Sequence, residues 1–166
     1  MKKFLKTVGW VLLIALVGIQ FFRPSKNMQE GISANHISTK FSVPEDVRSI
    51  LEKACYDCHS NNSGYPWYFN IQPLGIWMNK HIADGKKQIN FSEYTDKRPR
   101  FQYHKMEELK EQVKEGEMPL DSYTWMHKGA ALTPEEKNKL IDWANSVMDK
   151  LKTQYPIDSL ERKKPS

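Results

Sequence analysis

Cys55-Tyr56-Asp57-Cys58-His59 holds both cysteines of the 166-residue chain and one of its five histidines. Two thiols three residues apart on one helical turn can each add to a vinyl group of a haem and pin the ring flat against that turn. His59, the next residue, then offers an imidazole nitrogen to the iron from the same side. Three other chemistries use paired cysteines. A structural zinc ion usually takes four ligands, often from two such pairs, and the chain has no second pair. A thioredoxin-type redox pair belongs beside a βαβ pattern, and no alternating strand signal lies nearby. A disulfide across two residues closes a tight ring and staples almost nothing. The spacing therefore predicts one covalent haem c, with Cys55 and Cys58 as attachment residues and His59 as the proximal iron ligand.

An iron held by His59 takes a second ligand on its opposite face or leaves that position open. Glu117-Met118-Pro119 follows directly on a helical pattern that stops at Gly116. A thioether on such a loop can reach the iron, and Pro119 stiffens the approach, so Met118 is the expected distal ligand. His81 is the alternative, on the same helix face as Trp77 four residues before it. Met126, His127 and an open position complete the choices. Tyr65–Met78 is rich in aromatic and aliphatic residues, and Trp67 and Trp77 are candidate flat walls for the ring. Pro73 is the candidate that leaves a carbonyl free, its own or a neighbour's, to accept the outer N–H of His59. Tyr56 and Asp57 are expected only to keep clear of the ring, and His36 and His104 to lie at the surface.

These residues need helices to hold them. Ser42 and Glu45 have capping-box spacing and Pro44 suits a first turn, so a helix is predicted from about Ser42–Pro44. Its inward stripe is Val47, Ile50, Leu51 and Ala54, and it delivers Cys55 into the haem turn. Ser60 to Gly64 breaks it. A second helix is expected from about Leu74, ending before Asp84-Gly85. A third spans Phe101–Glu115 with Gln102, Met106, Leu109 and Val113 inward. Thr133-Pro134-Glu135-Glu136 starts a last helix, which runs to about Lys150 with Leu140, Ala144, Val147 and Met148 inward and Trp143 at the margin. The first and last helices are expected to pack together. The fold class is all-α and cytochrome c-like, preceded by one N-terminal transmembrane helix.

That helix is read from residues 1–25. Lys2, Lys3 and Lys6 flank a run without charge from Thr7 to Phe22. Counted from Phe4, the run approaches the ~30 Å hydrocarbon core if Lys6 snorkels. The lysine bias places the N-terminus in the cytoplasm and the haem domain outside, in the periplasm, as a single-pass inner-membrane protein. A cleaved signal segment is the rival reading, without a convincing cleavage site. Residues 26–41 are expected to be a polar spacer, 42–152 the haem domain and 153–166 a loose tail. The net charge of +5 is concentrated in the anchor, since without Lys2, Lys3, Lys6 and Arg23 the rest carries 21 basic against 20 acidic residues. Nucleic-acid binding therefore has no electrostatic footprint.

Five stretches carry a resemblance. They are Ile19-Gln20-Phe21 through Arg23-Pro24, Cys55 through Ser60, Tyr65-Pro66-Trp67-Tyr68, Asn90-Phe91-Ser92-Glu93 and Glu117-Met118-Pro119. The order of haem turn, Met-Pro loop and capped final helix resembles class I cytochrome c. Over about residues 18–150 the chain more closely resembles the haem-binding domain family of single-haem, membrane-anchored proteins found largely in Bacteroidetes. That resemblance implies a cytochrome-like haem domain outside the cytoplasmic membrane, without a settled reaction. The tryptophan-rich stretch after the haem turn departs from small soluble cytochromes c. The expected function is one-electron transfer with a redox partner protein rather than enzymatic catalysis. The alternative is a haem-based gas or redox sensor, or a peroxidase-like enzyme, with an open sixth position.

Overall fold

Helix propensity and apolar spacing produce eight α-helices, in a computed structural model that describes residues 1–161. They are α1 (Lys2–Ile19), α2 (Glu45–Ala54), α3 (Tyr56–His59), α4 (Leu74–Gln88), α5 (Pro99–Glu115), α6 (Asp121–Met126), α7 (Pro134–Gln154) and α8 (Ile157–Leu160). Single 3-10 turns lie at Ile37–Thr39, Trp67–Asn70, Phe91–Glu93 and Lys128–Ala130. Among the described residues the only β-pairing is an isolated bridge between Met28 and Asn62. The domain is all-α.

The core forms where α5 packs along α7, with α2 laid across α7 and α8 folded back onto α5. Leu51 of α2, Met106 of α5, and Leu140 and Leu151 of α7 are fully buried there. Each such side chain contributes about 1.5–3 kcal/mol of burial free energy. Helix α7 starts as its sequence predicts. Thr133 Oγ1 accepts the N–H of Glu136, and Glu136 Oε2 accepts the N–H of Thr133 at 2.9 Å. Glu136 also pairs with Lys53 of α2 at 2.6 Å, which ties the two helices at that end. At the other end the indole N–H of Trp143 donates to the carbonyl of Ser42. Trp143 is therefore a core residue, not a marginal one.

The transmembrane reading is overturned. No helix among the described residues is long and apolar enough to cross a membrane. Helix α1 has 18 residues, and Lys2, Lys3 and Lys6 all lie inside it. The uncharged part, Thr7–Ile19, is 13 residues, about 20 Å at ~1.5 Å per residue, against a hydrocarbon core of ~30 Å. Phe21 and Phe22, counted as part of the span, lie beyond its end. There Gln20 accepts the N–H of Gln72 and donates to its carbonyl, joining the helix end to the domain. The single-pass inner-membrane placement falls with the span.

Other boundaries also move. Residues 26–41 were expected as a spacer, yet Ile37 and Phe41 are buried in the core and Asn27 bonds to Ser60 and Ser63. The Ser42–Glu45 capping box does not form, and Pro44 occupies the cap of α2 with no side-chain hydrogen bond. In the expected tail, α7 continues to Gln154 and α8 buries Leu160, while Arg162, Lys163, Lys164 and Pro165 lie outside the described residues. Periodicity sees neither event, because both depend on surfaces supplied by distant segments.

Candidate functional site

Helix α2 ends at Ala54, and the chain turns through Cys55 into the single turn of α3. Cys58 and His59 donate their backbone N–H groups to the carbonyl of Cys55, so the five-residue motif folds as one helical turn. Cys55, Cys58 and His59 then border one cavity of about 480 Å³. That volume is within the usual range for small-molecule and cofactor sites. Met118 and His81 border it from other directions. The two thiols are not joined as a disulfide. Among the described residues no group of three or more His, Cys, Asp and Glu side chains is arranged to hold a metal ion.

His59 is held by α4. Its Nδ1 lies 3.0 Å from the carbonyl oxygen of Gly85 and 3.1 Å from that of Ile89. Carbonyl oxygens only accept, so Nδ1 carries the proton and donates, and Nε2 keeps its lone pair. Burial lowers the His59 pKa, outweighing the two carbonyl bonds that raise it, and the Lys105 cation adds to the lowering. The ring is therefore neutral and oriented at neutral pH, which is the form that ligates iron. The bonding partner expected from Pro73 is supplied instead by Gly85 and Ile89. Pro73 caps the far end of α4 and borders neither this cavity nor the smaller one beside it.

Helix α4 runs past its expected stop, through Gly85 to Gln88. A Cβ at Gly85 would meet the carbonyl oxygen of Cys58 at 2.7 Å. Its bare backbone lets α4 lie directly on the haem turn. Burial pushes the thiol of Cys55 up to about 12 and that of Cys58 up to about 11, with the neighbouring cysteine and Asp57 adding to it. Both groups are protonated thiols at neutral pH.

The remaining candidates divide. Trp77 stands edge-on to His81, with ring centroids 4.4 Å apart. It borders a side cavity of about 60 Å³, together with Met126 and His127. This side cavity shares Cys58, His81 and Tyr123 with the larger one. Trp67 is 76% exposed and borders neither. His104 pairs with Glu107 and Glu108 at the surface of α5. His36 caps the Ile37–Thr39 turn by accepting the N–H of Ser38.

Sequence reasoning missed Gly85, Lys105 and the role of Asp57; for Tyr123 it gives only a place in a Leu120–Leu132 loop folded over the haem edge, where the structure has α6. An isolated glycine inside a helical pattern is a packing signal, and Gly85 fits it. Lys105 borders the cavity and reaches Glu108 and the side-chain oxygen of Gln88. Asp57 does more than keep clear, because it accepts the N–H of Gly64 and the O–H of Tyr123, both at 2.7 Å. No local signal announces that last pair, since 66 residues separate the partners.

The donor set suits haem. Two thiols and a neutral, oriented imidazole converge from one turn on a largely apolar cavity, and a thioether faces it from the Met118 loop. A family model described as a haem-binding domain matches residues 14–146. No curated protein and no solved structure matches the chain.

Proposed function

Because this chain belongs to the haem-binding domain family and so binds haem, we propose that it holds one haem c covalently and carries single electrons to or from a redox partner protein. The observation that carries the reading is the meeting of Cys55, Cys58, His59 and Met118 on one cavity. When bound, haem supplies one-electron chemistry at its iron. Cys55 and Cys58 hold the ring by thioether bonds. His59 presents Nε2 to the iron, and its bonds to Gly85 and Ile89 fix its rotation and raise its basicity. Met118 supplies the distal ligand from the loop after α5. A haem that took its iron ligands from His59 and Met118 would leave no vacancy for a substrate, which favours a carrier over an enzyme.

The test is the absorption spectrum of the full chain, matured with a c-type haem assembly system, oxidised and reduced, with and without carbon monoxide. A low-spin spectrum with a weak sulfur-to-iron band and no carbon monoxide response is expected. Replacing Met118 with Ala is expected to abolish that band and open the iron to carbon monoxide; an unchanged spectrum would refute Met118 as ligand. A Cys55→Ala or Cys58→Ala chain is expected to hold haem by one bond or lose it, read by mass under denaturing conditions.

His81 supports a second reading, because it borders the same cavity. A low-spin spectrum without the sulfur band assigns the distal position to His81, with a lower potential than a thioether gives. A high-spin spectrum that shifts with carbon monoxide assigns a sensor or peroxidase-like site instead.

A further inference from the structure

Helix α6 carries Tyr123 five residues beyond Met118. Its phenol donates to Asp57 Oδ2, and Asp57 lies between the two cysteines of the haem turn. Among the described residues, this is the one hydrogen bond that joins residues 119–127 to any part of the chain outside 119–130. Met118 itself is tied only by its backbone N–H, to the carbonyl of Gln112 at 3.2 Å. The rest of the segment bonds to itself. Tyr123 stacks on His127 with centroids 4.3 Å apart, and His127 bonds back to the carbonyl of Tyr123. Among the described residues, the segment thus follows the turn at Gly116, whose φ is 82°, and one hydrogen bond ties it to the haem turn.

The fastening is well made. The other oxygen of Asp57 takes the N–H of Gly64, where a Cβ would come within 3.1 Å of it, so the carboxylate is held from both sides. An O–H donated to a carboxylate is among the stronger hydrogen bonds. It links the segment bearing the thioether to the turn bearing the thiols, beside the cavity that both border.

We propose that Tyr123 and Asp57 form a latch that holds the Met118 segment closed over the haem cavity. Tyr123 is a positioning residue: its hydroxyl is committed to Asp57, and it acts by keeping the distal loop in place. The effect on ligation rests on Met118 being the distal ligand; the closure of the segment does not.

Two measurements on full-length holoprotein decide it, with Tyr123→Phe as the main variant because it keeps the ring and its stacking on His127. Amide hydrogen exchange at residues 118–126 is expected to quicken. Carbon monoxide association with the ferrous protein is expected to rise about tenfold or more, the scale of losing one hydrogen bond to a charged group. Asp57→Ala is expected to act on both readouts in the same direction, and the double variant to do no more than Asp57→Ala alone, since Tyr123→Phe then has no bond left to remove. Ser122→Ala, next to the latch and outside it, is expected to change neither. Unchanged exchange in Tyr123→Phe overturns the proposal. So do faster exchange with unchanged carbon monoxide association, additive effects of the two variants, or an equal effect from Ser122→Ala. The distal ligand is judged separately, by the sulfur-to-iron band of the unmutated protein. If that band is absent, the Met118 reading fails with its carbon monoxide effect, while amide exchange still decides the latch.

Discussion

Gly85 serves the haem turn twice. Its carbonyl accepts the N–H of His59, and its missing side chain admits the carbonyl of Cys58. Alanine at this position would gain about 1 kcal/mol of helix propensity. It would also drive a methyl group into a backbone oxygen at 2.7 Å, and backbone cannot swing aside as a flexible side chain can. Overpacking of this kind costs about 1–3 kcal/mol. Gly85→Ala is therefore expected to lower the urea midpoint of the haem-free chain and to reduce haem attachment. Gly129→Ala, with nothing within 4 Å of the new Cβ, is the neutral control. An unchanged midpoint and full attachment in Gly85→Ala would mean that α4 can move away freely. The thiols make a second prediction. With Cys58 held up at about 11, the folded haem-free chain has few thiolates at pH 8. Iodoacetamide is expected to alkylate Cys58 about a hundredfold more slowly there than in the urea-unfolded chain. Equal rates would show that the haem turn is open to solvent.

Helix α5 and the segment after it form the scale at which Met118 is aimed. Val113 on the inner face of α5 is buried, and Leu109 packs against the same core. Gly116 then reverses the chain with φ of 82°. A residue with a Cβ pays roughly 1–2 kcal/mol in that left-handed region. Gly116→Ala is thus expected to cost about that much in urea unfolding and to weaken the sulfur-to-iron band of the holoprotein. Loss of stability with an intact band would show that the latch alone is enough to aim Met118.

At the scale of the whole molecule, two imidazoles resist protonation in the folded state. Burial lowers the pKa of His59 and of His36, with Arg48 adding to the effect at His36. The unfolded chain binds these protons near pH 6.5, and the folded chain only at lower pH. Stability falls wherever the unfolded state holds more protons, so the haem-free fold is expected to weaken as pH drops through 6.5. Asp46 and Glu136, kept low by Lys139 and Lys53, add a further loss in the carboxylate range as they protonate. Urea midpoints compared at pH 7.5 and about pH 5.5 measure the first of these effects. A haem-free His59→Gln chain is expected to show a smaller drop; an identical drop in both would exclude His59 as a contributor.

Chemistry that closes within a few residues was legible in the sequence. The Cys55–His59 turn, the Thr133–Glu136 cap, the stop at Gly116 and the stripe through Met106 and Val113 each depend on neighbours within one or two turns. Spacing alone determines them. The extent of α1 as a span was misjudged because composition counts Phe21 and Phe22 without knowing that the helix stops at Ile19. The support of His59 by Gly85 and Ile89 joins residues 26 and 30 apart, and the bond from Tyr123 to Asp57 joins residues 66 apart. Such contacts leave no periodic trace, since each partner is free to be anything in its own stretch. Only the packing of α4 against the haem turn, and of the Met118 segment across the cavity, decides which carbonyl meets His59 and which hydroxyl meets Asp57. The sequence determined which atoms can do the chemistry, because that is a matter of residue type and local spacing. The tertiary structure decided how they are held, because that is a matter of which distant surfaces fit.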